Sequence, residues 1–156
     1  MYNAADISAN AGVYVPVHKI ENALTVFGIT VGGFNEEGNE ANNAFDGVFG
    51  TKWTSKKDEK GVEGNGVFDF GSVKTFEKAH LSFNRGTTRK YTFSIFVSDD
   101  NVSFTPVIEK AVSSGTTDRF EEFDLKGAKG RYIKIVGFGS NENEWNNFLE
   151  IVFAGK

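Results

Sequence analysis

YTFSIFVSDDNVSFT (Tyr91–Thr105) is the stretch that indicates most clearly how this chain folds. Apolar Phe93, Ile95 and Val97 occupy every second position, which puts their side chains on one face of an extended strand. Asp99–Asn101 is a turn sequence, and another extended run follows it. The stretch therefore predicts two neighbouring strands with an apolar inner face.

Short apolar runs bounded by turn residues recur along the rest of the chain and predict an all-β fold. With Tyr91–Ser98 they are Leu24–Val31, Val67–Phe70, Ala79–Phe83, Ser103–Thr105, Phe120–Leu125, Arg131–Phe138 and Asn147–Phe153. Helical character is confined to about one turn at Glu40–Phe45. Strands of this length and spacing are typical of sandwiches and barrels. We predict a single β-sandwich of about eight strands.

Composition limits the function classes. The chain has 156 residues, 39% of them hydrophobic, including 16 Phe, which suits one domain with a well-filled core. Its net charge of −4 argues against general binding to nucleic acid or anionic membranes. The absence of cysteine excludes disulfides and thiolate metal sites, and a bacterial secreted domain needs neither.

Residues 1–24 lack a clear period, so we predict a linker remnant or an added edge segment there, followed by one domain over residues 25–156. No apolar run approaches the roughly 20 residues that span a membrane. The start MYNAADISANAG lacks the basic and apolar regions of a signal peptide. We therefore expect a piece of a larger, secreted protein.

NAFDGVFGTKWTS (Asn43–Ser55) combines groups that suit a hard cation. Calcium prefers six to eight oxygens from carboxylates, hydroxyls and backbone carbonyls. Asp46 and Thr51 could supply the first two, and Glu150 is an isolated acid in an apolar strand, where burial without a partner is costly. The alternative is that Asp46 caps a turn and Glu150 faces solvent. Spacing alone leaves both interpretations open.

Five motifs in a fixed order resemble a known family: AFDGVFGTKW, FDFG, FSIFVSDDNVSF, RYIKIVG and WNNFLEI. Together they resemble the coagulation factor 5/8 type C, or discoidin, domain over about Leu24–Phe153. Within that family the chain is similar to the family 32 carbohydrate-binding modules of bacterial polysaccharide-degrading enzymes. Ser113–Ile151 is especially similar to modules attached to alginate lyases. The resemblance implies an eight-stranded, jelly-roll-like β-sandwich.

The resemblance also implies a structural calcium ion near the chain ends, which braces loops and does no chemistry. Its implied side-chain ligands are Asp46, Thr51 and Glu150. The implied backbone carbonyl ligands are those of Asn43, Val48 and Leu149.

The chain departs from the family pattern in two places. Gly64–Gly66 replaces bulky residues before Phe68, which predicts a shortened strand or an opened loop. Phe96 stands where relatives often carry an outward polar residue, so it is a sugar platform, an oligomer contact or tolerated exposure.

Sugars bind this family in variable loops at one end of the sandwich, so physical chemistry has to identify the site. Arginine and lysine suit an acidic sugar, because arginine grips a carboxylate with two hydrogen bonds. Asn84–Lys90 supplies Arg85, Arg89 and Lys90 with no acid among them, although the chain is acidic. These three are candidate ligand residues, and a merely solvated hairpin is the alternative.

A second loop supplies amides and an aromatic ring. Asn141, Asn143 and Trp145 are candidate ligand residues, with Trp145 either stacked on sugar or packed beneath its loop. Lys52, with Lys56 nearby, is a candidate for a third edge of the ligand site. We expect the neighbouring Trp53 to lie in the core. His80 matches the galactose-binding histidine of some relatives only loosely, and we expect a core or edge histidine.

No catalytic constellation is visible: the chain has no histidine pair, no GxSxG motif and no phosphate-cradling glycine loop. We therefore predict a non-catalytic module that binds an acidic polysaccharide, by expectation alginate, and keeps an attached enzyme near it. We expect a monomer that does not insert into membranes. Neutral galactose-type glycan binding, and cell-surface adhesion, are the alternatives.

Overall fold

The computed structural model describes residues 12–156, and nearly all of the regular structure is β-strand. The strands are β1 (Gly28–Gly32), β2 (Phe34–Asn35), β3 (Trp53–Lys56), β4 (Asn65–Phe83), β5 (Tyr91–Ser98), β6 (Thr105–Val112), β7 (Glu121–Ser140) and β8 (Asn146–Gly155). One 3₁₀ helix covers Ala41–Phe45, inside the predicted turn at Glu40–Phe45. The all-β, eight-stranded prediction is confirmed.

All strand pairs are antiparallel, and the two long strands β4 and β7 run through both layers of the sandwich. The first half of β4 and the second half of β7 join β1, β5 and β6 in one layer, called here the β5 layer. The second half of β4 and the first half of β7 join β2, β3 and β8 in the other, the β8 layer. The two faces between the layers form the core.

Two breaks that the sequence predicted between strands are bends within single long strands. Val67–Phe70 and Ala79–Phe83 are halves of β4, and Phe120–Leu125 and Arg131–Phe138 lie almost entirely in β7. The chain does turn at Gly71, where φ is +82° and the pairing register shifts, but pairing with β7 resumes at Lys74. The glycine lets the strand change layer without ending.

Two short strands were missed, and two strand starts were misplaced. β2 and β3 have two and four residues, too short for an alternation to be detected. The run predicted over Leu24–Val31 becomes a strand only at Gly28, and β6 begins at Thr105 and continues to Val112.

Aromatic rings link the two layers. Ring centroids are 5.7 Å apart for Phe68 and Phe153, and 5.8 Å apart for Phe83 and Phe93. Trp53 is 1% exposed and packs edge-on against Phe68, so its predicted core position is confirmed. Burying one such ring stabilises the fold by about 2 kcal/mol, so these contacts contribute strongly to holding the layers together.

The glycines that depart from the family pattern make room for Trp53. A Cβ at Gly66 would lie 2.7 Å from Trp53 Cη2, and one at Gly64 would lie 2.4 Å from Ser55 Oγ. The indole of Trp53 thus fills the space that a side chain at Gly66 would need, and Ser55 fills that beside Gly64, while β4 starts at Asn65. The other departure, Phe96, is half-buried on the outer face of the β5 layer.

The described part of the N-terminal segment lies against the β8 layer. Ala23 pairs with Ala154, and the Leu24 amide donates to the Phe153 carbonyl at 2.8 Å. Residues 22–24 thus extend the edge of β8, while residues 1–11 of the predicted extension lie outside the described part. Within residues 12–156, no helix is long and apolar enough to cross a bilayer.

Candidate functional site

The predicted metal residues of the Asn43–Thr51 loop converge where this loop meets β8. Thr51 Oγ1 donates to Asp46 Oδ2 and lies 3.3 Å from the Asn43 carbonyl oxygen. The Val48 amide donates to Asp46 Oδ1 at 3.1 Å. The loop is therefore folded around its own carboxylate, with a hydroxyl and a carbonyl beside it.

Glu150 reaches this loop from β8. Its side chain is 1% exposed, so it does not face solvent. Oε1 accepts a hydrogen bond from the Gly47 amide at 3.1 Å and lies 2.8 Å from His18 Nε2, at hydrogen-bond distance. Oε2 is buried and has no hydrogen-bond partner among the described residues. Burial, together with the neighbouring Asp46 carboxyl, raises the pKa of Glu150 to about 9.

A cation fits this arrangement. Two carboxyls close together with an unpartnered oxygen are costly, and a bound cation would offset both the repulsion and the burial. The described residues include no group of three or more His, Asp or Glu side chains suited to a metal. Further ligands would have to be the Thr51 hydroxyl and backbone carbonyls, an all-oxygen set of the kind calcium takes.

His18 is a member of this cluster that sequence reasoning missed. Its ring lies 5.1 Å from Phe49 and 4.9 Å from Phe120, which fixes it beside Glu150. Burial lowers the pKa of His18, and the nearby Asp46 partly offsets this shift. The segment around His18 has no period, so no pattern pointed to it.

The two loops expected to bind ligand are neighbours at one end of the sandwich. The Lys90 amide donates to Asn141 Oδ1 at 2.9 Å, and the Asn141 amide donates to the Lys90 carbonyl at 3.1 Å. These bonds join the loop between β4 and β5 to the loop between β7 and β8. The structure thus joins the loop that carries Arg85, Arg89 and Lys90 to the loop that carries Asn141, which were predicted from separate stretches.

The three cations of the first loop differ in their partners. Arg89 Nε donates to Glu142 Oε1 at 3.0 Å, and hydrogen bonds to Tyr91 and Glu142 raise the pKa of Arg89. Arg85 and Lys90 are exposed and form no ion pair within residues 12–156. The sequence did not indicate an acidic partner for Arg89, because that partner, Glu142, comes from the other loop.

Trp145 forms a second cluster on the far side of the same loop. Its ring is half-buried, with Lys56 Nζ 4.4 Å from its centroid and Phe34 6.0 Å away centroid to centroid. Lys56 also pairs with Glu144 at 3.3 Å. One face of the indole is therefore covered by an ammonium group. Asn143 Oδ1 accepts the Trp145 amide at 3.0 Å and shapes the turn.

The remaining predicted residues are Lys52, which directly follows the metal loop, and His80. Lys52 borders an open depression of about 340 Å³ between the metal loop and Asn84, with Leu149 also in its wall. His80 is 8% exposed and meets the edge of Phe120. It precedes Asn84 by four strand positions, roughly 13 Å, so it is not part of the loop-end cluster.

Comparison with protein families matches residues 28–151 to the F5/8 type C domain. The family 32 carbohydrate-binding module of AlyQ, solved in complex with 4,5-unsaturated mannuronic acid, has a TM-score of 0.75 and 30% identity, over 84% of this chain and 96% of that one. Comparison with curated proteins finds no match.

Two further structures extend the comparison. Truncated AlyQ, containing this module and alginate lyase domains, has a TM-score of 0.76 and 31% identity over 89% of this chain, which spans only 35% of that longer one. A pectin-binding module has a TM-score of 0.74 and 26% identity, over 82% of this chain and 89% of that one.

The family match covers most of this chain. The AlyQ module is 30% identical to this chain, and the match covers nearly the whole module. The resemblance inferred from the five motifs is therefore confirmed. This chain belongs to the F5/8 type C domain family, as a non-catalytic module of the carbohydrate-binding kind.

Proposed function

We propose that this module binds an acidic polysaccharide, alginate in the first place, at the loop end formed by residues 84–90 and 141–145. One observation carries the proposal: Arg85 and Lys90 are exposed, form no ion pair within the described residues, and belong to a loop that the Lys90–Asn141 bonds join to the second loop, in an otherwise acidic protein. The relation to a module solved with an unsaturated mannuronic acid supports a uronate as the ligand.

The chemistry of the loop end suits a uronate. The guanidinium of Arg85 can hold a carboxylate through two hydrogen bonds, and Lys90 adds a point charge. The amides of Asn141 and Asn143 suit sugar hydroxyls. Affinity at such an open site is modest, roughly millimolar to micromolar or about −4 to −8 kcal/mol. Tethering to an enzyme raises its effective substrate concentration without new contacts.

Calcium is proposed as the structural ion of the neighbouring loop. Asp46, Thr51 and Glu150 would hold it through side-chain oxygens, joined by the carbonyls of residues 43, 48 and 149. The unpartnered Oε2 of Glu150 supports this assignment. The ion would supply positive charge that ties the loop to β8.

The module is further proposed to act as a secreted, monomeric part of a larger bacterial polysaccharide-degrading protein. The structure of AlyQ with both a binding module and lyase domains supports this arrangement. The 26% identity to a pectin-binding module keeps galacturonate as a second acidic candidate. A galactose site at His80 is disfavoured by that residue's burial away from the loop end.

Affinity electrophoresis through gels containing alginate, pectin, a neutral galactan or no polysaccharide tests the proposal. We expect selective retardation by alginate, and its loss in a double variant, Arg85→Gln with Lys90→Gln. Lys126→Gln with Lys129→Gln removes the same charge at the opposite end of the sandwich and should migrate like wild type in alginate. Retardation by the galactan alone would refute the proposal.

A further inference from the structure

Phe34 and Lys56 lie outside the proposed loop-end site and form a cluster with two of its residues, Glu144 and Trp145. Phe34 lies on the edge strand β2 and is 45% exposed, a large exposure for an aromatic side chain. It pairs directly with Lys56 of β3. Lys56 Nζ lies 5.7 Å from the Phe34 centroid and 4.4 Å from that of Trp145. The two ring centroids are themselves 6.0 Å apart, so the ammonium group lies against a pair of rings that contact each other.

The two rings restrict where the Lys56 ammonium can go. A free lysine loses side-chain entropy when it binds a ligand, whereas one already confined by aromatic contacts loses less. The side chain of Lys56 is still 30% exposed, and its acidic partner Glu144 is 64% exposed. An ion pair with so exposed an acid contributes little and exchanges readily with another carboxylate.

The loop Asn141–Trp145 connects this cluster with the cations of the first site. Glu142 pairs with Arg89 on one side of the loop, and Glu144 pairs with Lys56 on the other. Two residues of extended chain span about 7 Å, so the two ion pairs are separate but close. Each pair holds a cation against a carboxylate of the protein itself, at a surface where Phe34 also offers an apolar ring.

We propose that Lys56, held against the paired rings of Phe34 and Trp145, forms a second carboxylate-binding subsite, so that the module takes a run of consecutive uronates across the 141–145 loop. This inference rests on the proposed function at Arg85 and Lys90. One uronate binds at those cations, and a later uronate of the same chain replaces Glu144 at Lys56. The exposed ring of Phe34 contacts the apolar face of that later sugar.

Calorimetric titration with mannuronate oligomers of increasing length, from the single sugar to the hexamer, tests the subsite. Wild type should bind longer oligomers more tightly than the single sugar. Lys56→Gln should weaken hexamer binding about five-fold, the order expected of one exposed charge contact, and leave the affinity for the single sugar unchanged. Glu144→Gln, which frees Lys56 from its internal partner, should strengthen hexamer binding.

Lys57→Gln is the matched control. Lys57 is the next residue along the chain, carries the same charge and pairs with Glu63 at 3.4 Å. The Lys57→Gln variant should still bind longer oligomers more tightly than the single sugar, as wild type does. If wild type binds every length equally and Lys56→Gln changes nothing, the second subsite is wrong while the first site stands. If wild type binds no oligomer at all, the proposed function itself fails. Equal losses in the Lys56 and Lys57 variants would also overturn the subsite, since the effect would then be net charge alone.

Discussion

Glu150 illustrates what single residues in this chain can and cannot reveal. An acid inside an apolar strand predicts a costly buried charge that needs a partner, and burial at 1% exposure agrees with that. Its partners come from far away in sequence: Gly47 and His18 are 103 and 132 positions distant. Asp46 and Thr51 could be proposed because they lie in one short loop. His18 could not, because only the packing of the N-terminal segment brings it there.

Removing the proposed calcium ion should destabilise the protein, because Asp46 is one of the side chains proposed to hold it. We expect EDTA to lower the melting temperature of wild type by about 5–10 °C, because a ligand at 100 times its Kd contributes about 2.7 kcal/mol. Asp46→Asn should start from a lower melting temperature and respond little to EDTA. Thermal unfolding with and without added calcium gives both values.

Asp124→Asn is the control for this experiment. Asp124, like Asp46, accepts the amide two residues later, at 2.8 Å to Lys126, but it lies in β7 away from the metal loop. This variant should respond to EDTA as wild type does. If EDTA leaves the melting temperature of wild type unchanged, the proposal of a structural ion is wrong.

At the scale of elements, apolar alternation identified β5, and a nearly continuous apolar run identified β8, which is buried along its whole length. These patterns failed in two ways. β2 and β3 are too short to show a period, and the bends of β4 and β7 resemble strand ends because glycine and polar residues mark both. Whether such a glycine ends a strand depends on whether pairing resumes beyond it, which a single sequence does not contain.

Gly66, the second residue of β4, provides a test at this scale. Gly66→Ala should lower the free energy of unfolding by about 1–3 kcal/mol, the usual cost of overpacking. The new Cβ would lie 2.7 Å from the rigid ring of Trp53. Chemical denaturation followed by tryptophan fluorescence measures the change.

Gly28→Ala provides the comparison, because a Cβ there meets only Asp69 Cβ, at 4.0 Å. Its free energy of unfolding should stay within about 0.5 kcal/mol of wild type. Equal losses in both variants would mean that glycine is needed in these strands for its backbone and not for the space beside Trp53.

On the scale of the whole molecule, the sandwich brings to one end loops that are 50 or more residues apart in sequence. Sequence chemistry singled out two of those loops as candidate ligand loops, and the Lys90–Asn141 bonds join them. It could not foresee that Glu142 would pair with Arg89, or that Lys56 would cover Trp145. Such pairings depend on loop geometry, and loops carry no repeating pattern from which geometry can be read.

The central claim is that cations at the loop end bind an acidic glycan, and the measurement that tests it most directly is the salt dependence of binding. Charge contacts at an exposed site are screened over about 10 Å at 0.1 M salt. Titrating the intact module with alginate oligomers at 20 mM and at about 300 mM sodium chloride should therefore show a clear loss of affinity at the higher concentration. Arg85→Gln should bind more weakly and depend less on salt. Alginate binding that is equally tight at both concentrations would contradict the account.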